Sequence, residues 1–183
     1  LKAGIVYSEA VTTVSPTYAR EIQTPEYGLG MEGILKQRSA SLHGILNGVD
    51  YDLWDPAMDS HLPFNYSPRK MEGKRRCKES LIREMDLDPS VIKKPLLGMI
   101  SRLDNQKGFD LLVQMLDEIL ELDVGLTILG SGDELIQKAI QEAAIRHKGH
   151  VGFEMGFDEP LAHRIMAGVD IFLIPSRYEP CGL

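Results

Sequence analysis

The 183-residue sequence has little cysteine, no excess of basic residues and no long apolar run, and each shortage removes a class of protein. Cys77 and Cys181 are the only thiols and lie far apart, so no disulfide framework is possible and a reducing compartment is favoured. Lys and Arg total 20 against 27 Asp and Glu, a net charge of −7. Sequence-independent binding to DNA or RNA needs a basic face, so a general nucleic-acid surface is not expected. No apolar stretch approaches the roughly 20 residues that cross a bilayer as a helix, so no membrane span is expected either. Zinc spacing is missing: His147 and His150 have no thiol or carboxylate partners at metal-site intervals. What is present is ordinary for a globular chain, with 43% apolar residues. A self-contained chain of this size buries roughly 70% of its unfolded surface. The sequence begins at Leu1 without a methionine or a targeting segment and stops in a turn that follows an apolar run, so the expectation is a piece of a longer protein.

Local patterns change character along the chain. Residues 11–14 are β-branched and read as a strand, and Ser15-Pro16 then starts a short helix over 17–23, with Ser at the N-cap and Pro at the first helical position. Residues 24–48 are rich in glycine and predict loops with one helical piece near 33–40. Residues 49–68 hold Pro56, Pro63 and Pro68 without a clear period and read as an extended crossover. The charged stretch 70–86 predicts a surface helix with Leu81, Ile82 and Met85 on one side.

From Pro95 the pattern becomes regular. Apolar runs at 96–100, 124–129, 151–155 and 171–174 are short and continuous, as buried parallel strands are. Between them, Leu112, Met115, Leu116, Ile119 and Leu120 recur at helical spacing in 109–122. Leu135, Ile136, Ala139, Ile140 and Ala143 repeat that stripe in 133–147, and 158–168 forms a third helix. This βαβαβαβ succession predicts an α/β fold, a wound parallel sheet with right-handed crossovers, of which the first half of a doubly wound domain is present.

Ligands of open parallel sheets bind beyond the carboxyl ends of the strands, and that rule singles out four segments. The first, 101–108, carries Arg102 and Lys107 on one strand-to-helix loop, which suits a diphosphate: a guanidinium holds two oxygens in a fork and an ammonium adds a point charge. Each contact at about 4 Å contributes roughly 4 kcal/mol before desolvation. On spacing alone, two solvated loop cations are the plainer reading. Gly130-Ser131-Gly132 lets a backbone approach a ligand or merely makes a tight turn, with Asp133 capping the next helix. Phe157 stacks on a flat base or packs at the rim. In the last segment Pro180 starts a new helix, and the N–H groups of Cys181, Gly182 and Leu183 point from its positive end toward an anion or a sugar edge. Glu179 then accepts hydroxyl hydrogen bonds or complements the helix dipole. His163 lines the same crevice or packs internally. No base stands near Cys181, which leaves it a backbone role.

Read together, these segments resemble the bacterial glycogen synthases, the ADP-glucose-dependent starch and glycogen synthases. The resemblance rests on Lys2-Ala3-Gly4, residues 12–21, Gly28 to Gly33, Leu46-Asn47-Gly48-Val49-Asp50, Trp54-Asp55-Pro56 and Ser101-Arg102-Leu103. It continues through Gln106-Lys107-Gly108, Gly130-Ser131-Gly132-Asp133, His163-Arg164-Ile165-Met166 and Pro175 through Leu183, nearly end to end.

The resemblance implies a GT-B fold, two Rossmann-like domains facing across a cleft. Residues 1–46 would be the tail of the N-terminal domain with the crossover, and 47–183 the first half of the nucleotide-sugar domain. It also implies transfer of glucose from ADP-glucose to the non-reducing end of an α-1,4-glucan with retention, in the bacterial cytoplasm, without a metal or other cofactor. Arg102 and Lys107 match the diphosphate pair, Glu179 the acid beside the donor glucose, and Asn47 a glucose-site asparagine. Phe157 falls where an aromatic stacks on adenine. Gly130, Ser131, Cys181, Gly182 and Leu183 complete the substrate-binding set. Acceptor residues of that family, including a histidine, lie outside this sequence, so the 183 residues alone are expected to be inactive and poorly folded, with an open sheet edge. The alternatives are a GT-B transferase using UDP-glucose and a non-catalytic nucleotide- or glucan-binding module. The transferase reading depends on Arg102, Lys107 and the 181–183 amides converging on one anionic pocket.

Overall fold

A computed structural model describes residues 1–182, which fall into two compact units, Leu1–Val49 with the 179–182 segment, and Asp50–Tyr178. In the first unit the chain runs through α1 (Lys2–Tyr7), β1 (Val11–Thr13), α2 (Pro16–Glu21), α3 (Glu32–Gln37) and β2 (Leu42–Gly44). Ser15 caps α2 as its sequence position predicts, its Oγ accepting from the Tyr18 N–H at 2.9 Å with Pro16 following. Strands β1 and β2 pair in parallel, Val11 opposite Leu42. Ala19, Ile22, Leu35 and Leu42 form a small core. Two elements depart from the sequence reading: α1 and β2 lie where no pattern marks them. Strand β2 is three residues long and exists because Gly44 allows the chain to pass Ser15, whose carbonyl oxygen would stand 2.1 Å from a Cβ at that position.

The second unit holds α4 (Glu72–Glu84), β3 (Leu96–Ile100), α5 (Phe109–Leu120), β4 (Gly125–Gly130), α6 (Glu134–Arg146), β5 (Val151–Met155), α7 (Glu159–Gly168) and β6 (Ile171–Phe172). The four strands lie in the order β5-β4-β3-β6, all parallel. Helices α5 and α6 cover one face through Phe109, Leu112, Leu116, Ile136 and Ile140, packed on Leu97, Met99, Leu126 and Ile128. Helices α4 and α7 cover the other through Leu81, Ile82, Leu161 and Ile165, packed on Leu96 and Leu129. Burial on both faces is why the strands read as continuous apolar runs. Gly98 is required on the α7 face, where a Cβ would come within 2.6 Å of Val169.

The expected strand over 171–174 shortens to Ile171–Phe172, because only Leu97 and Gly98 offer ladder partners and Pro175 follows. Asp170 fixes its start: one carboxylate oxygen accepts from the Leu96 N–H at 2.8 Å and from the Lys78 ammonium at 2.7 Å. Helix α4 is therefore less superficial than its charges suggest, with Cys77, Lys78, Leu81 and Ile82 buried. The 49–68 stretch is a series of turns rather than an extended crossover, anchored by a buried group. His163 Nδ1 lies 2.6 Å from Asp59 Oδ2, with the two side chains 0% and 6% exposed. Trp54 stacks on the imidazole at 3.8 Å between ring centres. Asp59 Oδ1 also accepts from the His61 N–H at 2.8 Å, and the Asn65 side chain donates to the Asp59 carbonyl at 2.9 Å.

Candidate functional site

The β3–α5–β4–α6–β5 run adds strands in one direction. The α7 crossover then returns past β4 and β3, so that β6 pairs with the far side of β3. The winding reverses between β3 and β6, and the carboxyl ends at such a reversal open a crevice for ligands. Two loops of the unit leave that point: 101–108 after β3, and 173–178 after β6.

The first loop is tightly ordered. Leu103 bridges to Gly132 in parallel, donating to the Ser131 carbonyl at 2.9 Å and accepting from the Asp133 N–H at 2.8 Å. Asp104 sits at its centre: Oδ1 accepts from the Lys107 N–H at 2.8 Å, and Oδ2 lies 3.4 Å from the Arg102 guanidinium. Arg102 is 70% exposed and Lys107 half-buried, so one loop carries both cations beside the start of α5. Gly108 turns the chain into that helix with φ +78°, a left-handed conformation, and a Cβ there would stand 2.2 Å from the Pro175 carbonyl oxygen.

The second loop lies against the first. Gln106 accepts from the Arg177 N–H at 2.9 Å through its carbonyl and donates from Nε2 to the Tyr178 carbonyl at 3.1 Å. The Arg177 guanidinium donates to Asp110 Oδ2, and this hydrogen bond, ahead of every other influence, holds the Asp110 carboxyl below the usual carboxylate range. Asp110 lies in the first turn of α5, whose nearby backbone N–H groups lower its carboxyl a little further. A carboxylate thus already complements the α5 dipole, and an anion at this crevice would be met by side-chain cations rather than by the helix end.

The other predicted residues distribute as follows. Asp133 caps α6, accepting from the Leu135 and Ile136 N–H groups at 2.9 and 3.1 Å. Gly130 is buried, and its missing side chain makes room for the Ser101 carbonyl, 2.1 Å from the Cβ position, while Ser131 is exposed. Phe157 follows β5 in the loop to α7 and is 85% exposed, so it does not pack at the rim. His163 is the packed histidine of the Asp59 pair and lines no crevice. Asn47, Glu179, Cys181 and Gly182 belong to the first unit. Glu179 and Cys181 are half-buried, and the Glu179 carboxyl carbon lies 3.5 Å from where a Gly182 Cβ would be. Pro180 and Cys181 form a bend. Leu183 lies outside the described residues. Both cysteines are free thiols, and no group of three His, Cys, Asp or Glu among the described residues is arranged to hold a metal. No helix among them is long and apolar enough to cross a membrane.

Comparison with known proteins fits this geometry. Residues 1–37 match the starch synthase catalytic domain family, and residues 94–183 match the glycosyl transferases group 1 family. The glycogen synthase of Desulfatibacillum aliphaticivorans is 49% identical over all 183 residues, and that of Anaeromyxobacter sp. is 51% identical over the same span. The chain resembles bacterial glycogen synthases throughout. It spans 38% of the length of these two relatives. Among solved structures, the catalytic domain of starch synthase IV from Arabidopsis thaliana, bound to ADP and acarbose, superposes with a TM-score of 0.92. It is 39% identical, with 100% of this chain and 38% of that chain covered. The Anabaena protein HepE in complex with UDP-glucose, at 18% identity and a TM-score of 0.60, covers 97% of this chain and 41% of its own, and shares the fold alone. This glycogen-synthase-like chain is accordingly a fragment of a GT-B glycosyltransferase fold.

Gln106, Asp104, Asp110 and Arg177 are the site residues that sequence reasoning passed over. Gln106, Asp110 and Arg177 find their side-chain partners 67 to 72 positions away, so no local signal exposes them, whereas Asp104 bonds within its own loop; the one hint of the close approach is Gly108, between a cation and a helix start.

Proposed function

We propose that this chain is part of a retaining glucosyltransferase that moves glucose from ADP-glucose to the non-reducing 4-hydroxyl of an α-1,4-glucan. The observation that carries the reading is the loop at the β3/β6 reversal. It sets Arg102 and Lys107 on one Asp104-centred turn, in a chain that matches glycogen synthases along its length. As the glycosidic bond breaks, negative charge grows on the leaving diphosphate, and cations already in place stabilise it without reorganising. Arg102 spans two phosphate oxygens and Lys107 meets a third. With front-face departure the acceptor hydroxyl attacks from the leaving-group side, and no strong protein nucleophile is needed.

Phe157 suits the adenine ring. Its strand is two places from β3, and at roughly 4.8 Å per strand the two carboxyl ends are about 10 Å apart, the span between a base and its diphosphate. Glu179 would accept hydroxyls of the donor glucose, Asn47 would bind the same sugar, and Ser131 with the backbones at Gly130, Cys181, Gly182 and Leu183 would line the donor. The two side-chain cations take the place a metal would otherwise fill, and a cytoplasmic location goes with the bacterial relatives.

The test is transfer of labelled glucose to glycogen by the full-length protein, with ADP-glucose and with UDP-glucose, before and after EDTA. ADP-glucose is expected to be the better donor and EDTA to change nothing; equal use of UDP-glucose overturns the donor assignment. Arg102→Ala and Lys107→Ala are each expected to lower kcat/KM by about a hundredfold or more, the scale of losing one stabilising group at a developing charge. Full transferase activity in a full-length variant lacking the charges of Arg102, Lys107 and Glu179 would make these residues dispensable and leave this part of the chain a non-catalytic binding module. The isolated 183 residues are expected to produce no ADP.

A further inference from the structure

We infer that Gln106 is a positioning residue for nucleotide-diphosphate binding, acting through Lys107. This rests on the reading of Lys107 as a diphosphate ligand. Three observations carry it. The segment after β6 has little ladder support: β6 pairs only at Ile171 and Phe172, with one further bond from the Leu173 N–H to the Gly98 carbonyl at 2.8 Å. Beyond that, Gln106 takes both ends of the contact with the 101–108 loop, its carbonyl receiving the Arg177 N–H and its amide donating to the Tyr178 carbonyl. Lys107 is the next residue, and its own N–H is held on the other side by Asp104. The backbone that carries the ammonium is therefore gripped from both flanks.

Gln106 is itself exposed, and it is not buried in any of the cores, so its bond to Tyr178 contributes little to holding the fold. Its effect is to fix where the following side chain starts. The Arg177–Asp110 pair and the side-chain-free Gly108 close the same seam from the helix side, which leaves the loop one seating against Pro175–Tyr178. Loss of the Gln106 amide would let the loop sample other seatings, and an anion that relies on Lys107 would bind more weakly in proportion.

The experiment measures binding of ADP and of adenosine to the full-length protein carrying Gln106→Ala, Gln106→Glu, Lys107→Ala and the Gln106→Ala/Lys107→Ala pair. The Gln106 variants are expected to weaken ADP about three- to tenfold, the range for one net hydrogen bond, with melting temperature and adenosine affinity unchanged. A carboxylate in place of the amide would keep the shape but not the donor, so Gln106→Glu should match Gln106→Ala. In the Lys107→Ala background the Gln106 substitution should add nothing, because its action passes through the lysine. A Gln106→Ala effect of equal size with and without Lys107 overturns the inference, as does wild-type behaviour of Gln106→Glu. A parallel loss of adenosine affinity and melting temperature would reduce Gln106 to a structural role. If Lys107→Ala itself leaves ADP affinity untouched, the diphosphate reading fails first, and that outcome is distinguishable from the others.

Discussion

Replacing Asp59 by alanine should loosen one region of the second unit by a calculable amount. The Asp59 carboxylate sits 2.6 Å from His163 Nδ1 and 2.8 Å from the His61 amide, both on buried oxygens. Alanine leaves the imidazole nitrogen and the amide without partners, at about 1–3 kcal/mol for each buried group that loses its bond. His163 Nε2 already has no hydrogen-bond partner, so the ring has nothing to fall back on. A total of about 3 kcal/mol corresponds to roughly a hundredfold rise in local opening. Asp59→Asn keeps the shape and one acceptor oxygen, and should cost about 1 kcal/mol. Amide hydrogen exchange of the full-length protein, followed by mass spectrometry, reads this directly in the peptides covering 54–66 and α7. Exchange in those peptides should accelerate in the alanine variant and much less in the asparagine variant. Protection within about threefold of the unsubstituted protein would show that the pair does not hold the 54–66 turns on α7, and the reasoning would fail.

Gly108→Ala should cost about 1–2 kcal/mol for the left-handed conformation alone, and more because the new methyl meets Pro175; a fall of more than about tenfold in ADP affinity is expected by titration. Phe157→Ala should raise the KM for ADP-glucose about tenfold, the scale of one stacked base, while Phe157→Tyr leaves it unchanged in steady-state kinetics. The Asp117 carboxyl is held below the usual carboxylate range by the His147 hydrogen bond first and by Arg146 second. A carboxyl depressed in the folded state adds stability above its unfolded value and loses it as pH falls. The difference in denaturant midpoint between Asp117→Asn and the unsubstituted protein should therefore be present at neutral pH and vanish in acid below the ordinary carboxylate range.

Much of the second unit could be read from the sequence because its signals are local. The Leu112–Leu116 stripe, the apolar runs at 96–100 and 124–129, and the Asp133 cap each declare themselves within a few residues. The strand order could not be read, since nothing in Ile171–Phe172 says which neighbour it chooses. Strand β2 was hidden for the opposite reason: Leu42-His43-Gly44 is too short to show a period, and it forms because Gly44 fits against Ser15. At the candidate site, Arg102 and Lys107 stood out because a rule about strand ends points to their loop. Gln106 and Arg177 did not, because their meaning lies in each other.

The return of β6 to the far side of β3 has a kinetic consequence. β3, β4 and β5 can zip together from neighbours joined by single helices, whereas Leu96 and Asp170 meet across 74 residues. Closing that long loop comes late, so a nascent chain would hold a three-stranded sheet with α5 and α6 docked while its other face waits for α7. The Asp170 carboxylate, joining Lys78 of α4 to the first amide of β3, is then the clasp that ends the waiting. Its removal should show in the refolding rate of the last phase more than in the first collapse.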